Sequence, residues 1–149
     1  MTNEEKRPLA MLGTTIIVFA AYTYIAYLRF EGNELYTMDN PKFFATAILL
    51  FLPISVFARI IIYILYSIVN TMLTGEDEPS MNKDEFGKLI DLKSSTNFYR
   101  IFIAGFLLAM LTQVVGWSIG SMFIVFYISM FVGAVISEFS EYYYLRKGV

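Results

Sequence analysis

"LFLPISVFARIIIYILYSIV", residues 50–69, is apolar through almost its whole length, and how it is read decides the fold. A helix needs roughly 20 apolar residues to cross a hydrocarbon core about 30 Å thick. The run continues on both sides to cover 41–73, with Asn40 placed to cap it and Pro41 at the first helical position. At the helical rise such a segment is about 48 Å long, so it must tilt, bend at Pro53 or protrude. Inside it stands Arg59, with no charged neighbour for many positions. A permanently charged guanidinium in that setting needs an answering group.

Working outward, residues 9–30, 98–116 and 119–145 give three further spans. The join between the last two, Gly116-Trp117-Ser118-Ile119-Gly120-Ser121, is long enough only to reverse the chain, which predicts an antiparallel hairpin. The expected fold is therefore an all-α integral membrane protein, one membrane domain over 1–149 with four transmembrane helices in an antiparallel bundle. Composition agrees: 57% of the 149 residues are hydrophobic, above the usual share for a soluble domain. The first span is too long for a signal-peptide core and no small-residue cleavage site follows it, so it is expected to be retained.

Basic residues set the expected direction. Lys6, Arg7, Lys83, Lys88, Lys93, Arg100, Arg146 and Lys147 fall on one side of a four-span chain, eight in all, against Arg29 and Lys42 on the other. By the positive-inside rule both termini are cytoplasmic in a multi-pass protein of the cell membrane. Trp117 marks the outer interface, and Tyr142, Tyr143 and Tyr144 the inner one.

The loop 75–97 is the longest polar stretch. Asn82-Lys83-Asp84-Glu85 has the form of a capping box, and Phe86, Leu89 and Ile90 recur at helical spacing. A short cytoplasmic amphipathic helix is expected between spans two and three, either as a connector or as a partner-docking surface. Asp84, Glu85, Lys88, Asp91 and Lys93 are the candidate contact residues.

Two further patterns concern packing and charge. Small residues let helices approach closely in lipid. Span three carries Gly105 and Ala109, and span four Ser129, Gly133 and Ser137. A hairpin turning near residues 118–119 would set Ala109 against Ser129 and Gly105 against Gly133. Counting the helical rise from the outer ends puts Arg59 about 24 Å deep and Glu138 about 28 Å deep. Glu138 is thus the best-placed partner for Arg59, and Glu141, one turn further, the second; snorkelling to headgroups competes with both. Unanswered, an arginine at that depth costs about 2.5 to 3.5 kcal/mol. Gln113 is expected to hydrogen-bond across helices, to Thr14, Thr15 or a backbone carbonyl.

The segment "DEFGKLIDLKSSTNFYR", 84–100, resembles the Asp-Glu-Arg…Leu-Ile…Lys motif before the third span in a family of small prokaryotic four-helix membrane proteins. "SEFSEYYYLRKGV", 137–149, is similar to that family's Ser-Glu…Tyr-Arg-Arg-Gly ending. The chain departs from the first motif at Phe86, where the family has Arg, and from the second at Lys147. The family is defined as a domain of unknown function, so the resemblance implies topology and leaves the mechanism open.

The chain has no His and no Cys, which removes imidazole bases, thiol nucleophiles and the usual zinc ligands. Its net charge of -2 argues against nucleic-acid binding. The expected role is a non-catalytic membrane protein without cofactor or metal, a sensing, regulatory or immunity-type module. Its expected partners are the lipid bilayer, a cytoplasmic protein and a second copy of the chain in a homo-oligomer. The alternative is a small transporter or channel that uses the Arg59 and Glu138 charges.

Overall fold

The computed structural model describes residues 3–32, 37–75 and 85–147. They form four helices: α1 (Asn3–Glu31), α2 (Pro41–Thr74), α3 (Glu85–Val114) and α4 (Ile119–Lys147). All four are long and apolar enough to cross a membrane. Side-chain contacts fix an up-down-up-down order. Thr15 meets Glu138 while Thr23 meets Tyr127, so α1 and α4 run antiparallel. Asn97 meets Ser140, and Gly105 lies against Ser129, so α3 and α4 do too.

Local chemistry explains the ends of the elements. Asn40 caps α2 by accepting the Lys42 N–H at 3.0 Å, with Pro41 following at the first helical position. Gly75 ends α2 in the left-handed region at φ 69°, donating to the Thr71 carbonyl. Helix α3 stops in a Schellman motif. Gly116 has φ 86°, its N–H meets the Gln113 carbonyl, and the Trp117 N–H reaches back to that of Thr112.

That stop corrects the expected register. The turn centres on residues 115–118, not 118–119, because Gly116 breaks the helix before Trp117. The small-residue pairing moves accordingly: Gly105 faces Ser129, and Gly133 faces the Phe98 ring, while Asn97 and Ser140 still meet as the expected register would set them. The expected short amphipathic helix is not a separate element either. Residues 85–97 form the first turns of α3, continuous with the span because no Gly or Pro interrupts them after Gly87.

Helix α4 is the centre of the bundle. It packs on α3 most extensively, then on α1, and only lightly on α2, while α3 comes close to α4 alone. Large apolar side chains such as Leu49, Phe57, Ile61, Leu65, Leu107 and Leu111 point outward and are exposed. Among the described residues the buried hydrophobic side chains are Ile90 and Ala109, whereas Thr14, Thr15, Asn70, Ser94, Thr112, Ser129 and Glu138 are all buried. An inside more polar than the outside suits a chain whose solvent is hydrocarbon.

Candidate functional site

Three helices bring one side chain each to a common point. Arg59 from α2 places Nη2 3.0 Å from Glu138 Oε1 on α4. Thr15 of α1 sits between them: Arg59 Nη2 donates to its Oγ1 at 2.7 Å, and the hydroxyl donates to Glu138 Oε1 at 2.8 Å. The proton order is consistent, since the guanidinium only donates and an ionised carboxylate only accepts. Glu141, one turn further along α4, is half-buried.

The two charges differ in exposure. The Glu138 side chain is 10% exposed and that of Arg59 39%. One oxygen of the carboxylate carries the whole network, for Glu138 Oε2 is buried with no hydrogen-bond partner among the described residues. A buried carboxylate with an open oxygen holds its cation less firmly than a two-point, bidentate pair would.

Beside this triad lies a cavity of about 310 Å³. Thr15, Ser55, Arg59, Ser137 and Glu138 supply its polar lining, and Phe19, Phe51, Phe98, Met130 and Phe131 much of the apolar remainder. Toward the opposite end of the bundle the interior is filled by aromatic rings. Phe19 stacks on Phe131 at 4.1 Å and on Tyr127 at 4.5 Å, and Phe51 meets Tyr127 edge-on at 5.1 Å. Beyond that cluster Tyr127 shares a hydrogen bond with Thr23, and the Tyr22 hydroxyl donates to the Ala47 carbonyl.

No family model matches the chain, nor does any curated protein or solved structure match it significantly.

The other sequence-predicted residues separate into groups. Gly105, Ala109, Ser129 and Gly133 are buried, with Gly105 and Ser129 in direct opposition. Ser137, one turn on, lines the cavity together with Phe98 of α3. A spacing of four residues drifts about 40° per step around a helix of 3.6 residues per turn, so the third member sits at the edge of the face toward α3. Of the loop residues, Asp84 lies outside the described residues. Glu85, Lys88 and Lys93 are exposed, and Asp91 is half-buried. Lys93 reaches the Tyr144 ring, its Nζ 6.0 Å from the centroid. Phe86 and Leu89 are exposed and Ile90 is buried, so the face toward α4 is Ile90, Ser94 and Asn97. Among the described residues no three acidic side chains gather into a set that could hold a metal ion.

Gln113 does not cross to another helix. Its Nε2 donates to the Ser118 carbonyl at 3.0 Å and fastens its own turn, while Thr14 bonds the Ala10 carbonyl one turn back. The group that sequence reasoning missed at the charged site is Thr15. A signal was available: counted from the terminal end of the bundle, Thr15 after Lys6 and Glu138 before Lys147 both lie about 13 Å in.

Proposed function

We propose that the protein is a non-catalytic integral membrane module whose helix arrangement is held by the Arg59–Thr15–Glu138 latch. In this reading both termini are cytoplasmic, and a cytoplasmic partner meets the first turns of α3, at Glu85, Lys88, Asp91 and Lys93, together with the α4 tail. Its role is sensing, regulatory or immunity-type. One observation carries it: α2 packs lightly on α4, yet a charged network ties the two to each other and to α1. A module that reports membrane state needs such an element, joined to the rest by a contact that can be broken.

The orientation rests on the excess of basic residues at the terminal end, eight against two. The resemblance of residues 84–100 and 137–149 to small prokaryotic four-helix membrane proteins supports the same topology. A second reading, transport, is favoured by the cavity beside the intramembrane charges. The rings of Phe19, Phe51, Tyr127 and Phe131 speak against an open channel, because they fill the interior between the cavity and the opposite end.

The test joins orientation to partner. In cells, Asn33→Cys should react with an impermeant thiol reagent added outside and Gly148→Cys should not. A photo-crosslinker at Lys88 should capture a defined cytoplasmic protein, and Lys93→Glu should abolish the capture. Labelling of both cysteines from outside would sink the orientation. Proton-coupled flux in liposomes would favour transport instead.

A further inference from the structure

Three features meet at Glu138. Its carboxylate is held through Oε1 alone, with Oε2 open. Arg59 is 39% exposed, and a long cationic side chain can lift its head toward water or headgroups while its stem stays on apolar surface. The adjoining cavity, about 310 Å³, has Phe19, Phe51, Phe98 and Phe131 in its walls. Because α3 approaches α4 but not α2, the side of the cavity that Phe98 lines is not closed by packing between α3 and α2, which leaves a lateral way in.

The chemistry of that space selects its occupant. An anion could draw Arg59 to itself only by leaving the buried Glu138 carboxylate unanswered, which is strongly destabilising. A neutral chain would fill the cavity without using the charged end. A cation gains both the carboxylate and the ring faces, but it cannot share the carboxylate with Arg59 without like-charge repulsion. We propose that the cavity admits a lipophilic primary ammonium ion, which displaces Arg59 as the counter-ion of Glu138. Its N–H groups donate to the carboxylate and its apolar body lies among the phenylalanine rings. The volume, at the low end for ligand pockets, matches about ten waters and so takes a compact body or the first part of a single chain. Exchange frees Arg59 and unlatches α2 from α1 and α4. The proposal rests on the latch described under the proposed function, and it supplies the chemical class that the module would sense.

The probe is dodecylammonium, titrated calorimetrically into the whole protein in nanodiscs, with empty nanodiscs as background and dodecanol as the neutral comparison. Saturable binding is expected in the parent and none in Glu138→Gln. Arg59→Gln should bind about tenfold more tightly, since the competing cation is gone. Ala134→Leu fills part of the cavity while leaving both Arg59 and Glu138 in the chain, and should weaken binding by about tenfold. It decides the matter if Glu138→Gln does not fold. Undiminished binding in Ala134→Leu or Glu138→Gln, weaker binding in Arg59→Gln, or equal binding of dodecanol would overturn the proposal. The latch is read separately, from the coupling between Arg59 and Glu138 in unliganded protein. Coupling without ammonium binding rejects this inference and keeps the latch, whereas binding without coupling rejects the latch and with it the displacement of Arg59.

Discussion

Toward α3, helix α4 presents Ser129 and Gly133; toward α1 and α2 it presents Tyr127, Phe131 and Glu138. The first side is held by shape. A Cβ added to Gly105 would fall inside the Ser129 side chain, so the backbones are as close as their composition allows. The second side is held by directional contacts beside a cavity of about 310 Å³: an ion pair with its bridging hydroxyl, the Thr23–Tyr127 hydrogen bond and aromatic pairs. Where helices lack a hydrophobic drive to press them together, as lipid-facing helices do, close packing and polar contacts must hold them. This bundle uses one on each side of α4. A shape-locked side resists motion because any shift costs packing everywhere at once. A latched side loses its charged tie when a single partner is exchanged, which is why the proposed responsive element is α2.

The largest effect should come from breaking the latch. Leaving one member of a buried ion pair unanswered costs about 3 to 5 kcal/mol, whereas replacing both can be nearly neutral. The two single changes should not be equal. Arg59→Met strands a carboxylate that is 10% exposed, and Glu138→Gln strands a guanidinium that is 39% exposed and can reach headgroups. Arg59→Met should therefore be the more destabilising, near the upper end of that range, and Glu138→Gln should fall at or below its lower end. The double variant should recover part of the loss. Thermal unfolding in detergent measures all three, and strict additivity would erase the distinction between the two sides of α4.

How far this was legible in the sequence follows from the same contrast. Depth is a one-dimensional quantity, set by the helical rise, so the levels of Arg59 and Glu138 could be counted from the span ends. Lateral position is not. Which side of α4 a residue looks toward depends on about 100° of rotation per residue, so spacing alone could not tell that Glu138 meets α1 and α2 while Ser129 and Gly133 meet α3. The hairpin register depended on where α3 stops. Gly116 was visible, but its left-handed conformation and the resulting Schellman hydrogen bonds are facts of three dimensions. The cavity has no sequence signature, since its walls come from all four helices.

An intermediate effect should come from the shape-locked side. Gly105→Ala places a methyl group where the Ser129 side chain already is, with the Ser129 Cα also near at 3.6 Å. Helix separation or a register shift must follow, at about 1 to 3 kcal/mol by the usual range for overpacking. Ser129→Gly in the same chain makes room and should restore most of the stability. If Gly105→Ala melts like the parent and Ser129→Gly does nothing for it, the two residues do not face each other and the corrected register is wrong.

The smallest effect sharpens the comparison by joining its two halves. A Cβ at Gly133 would meet the Phe98 ring, 2.9 Å from Cδ2 and 3.1 Å from Cε2. Unlike the contact at Gly105, this neighbour is the far end of a side chain that can turn, and Phe98 also lines the cavity beside the latch. The ring then has somewhere to go. Replacing Gly by Ala in a helix favours folding by about 1 kcal/mol, which offsets much of the cost of moving the ring. Gly133→Ala should leave thermal stability within about 1 kcal/mol of the parent, whereas Gly133→Leu should lose about 1 to 3 kcal/mol by overpacking. The informative readout is the cavity. A ring driven into it by Gly133→Ala should reduce dodecylammonium binding, and Phe98→Leu in the same chain should restore it. A stability loss for Gly133→Ala as large as that for Gly105→Ala would mean that Phe98 cannot yield. The cavity would then be walled by packing as rigid as the hairpin, and the two sides of α4 would behave as one.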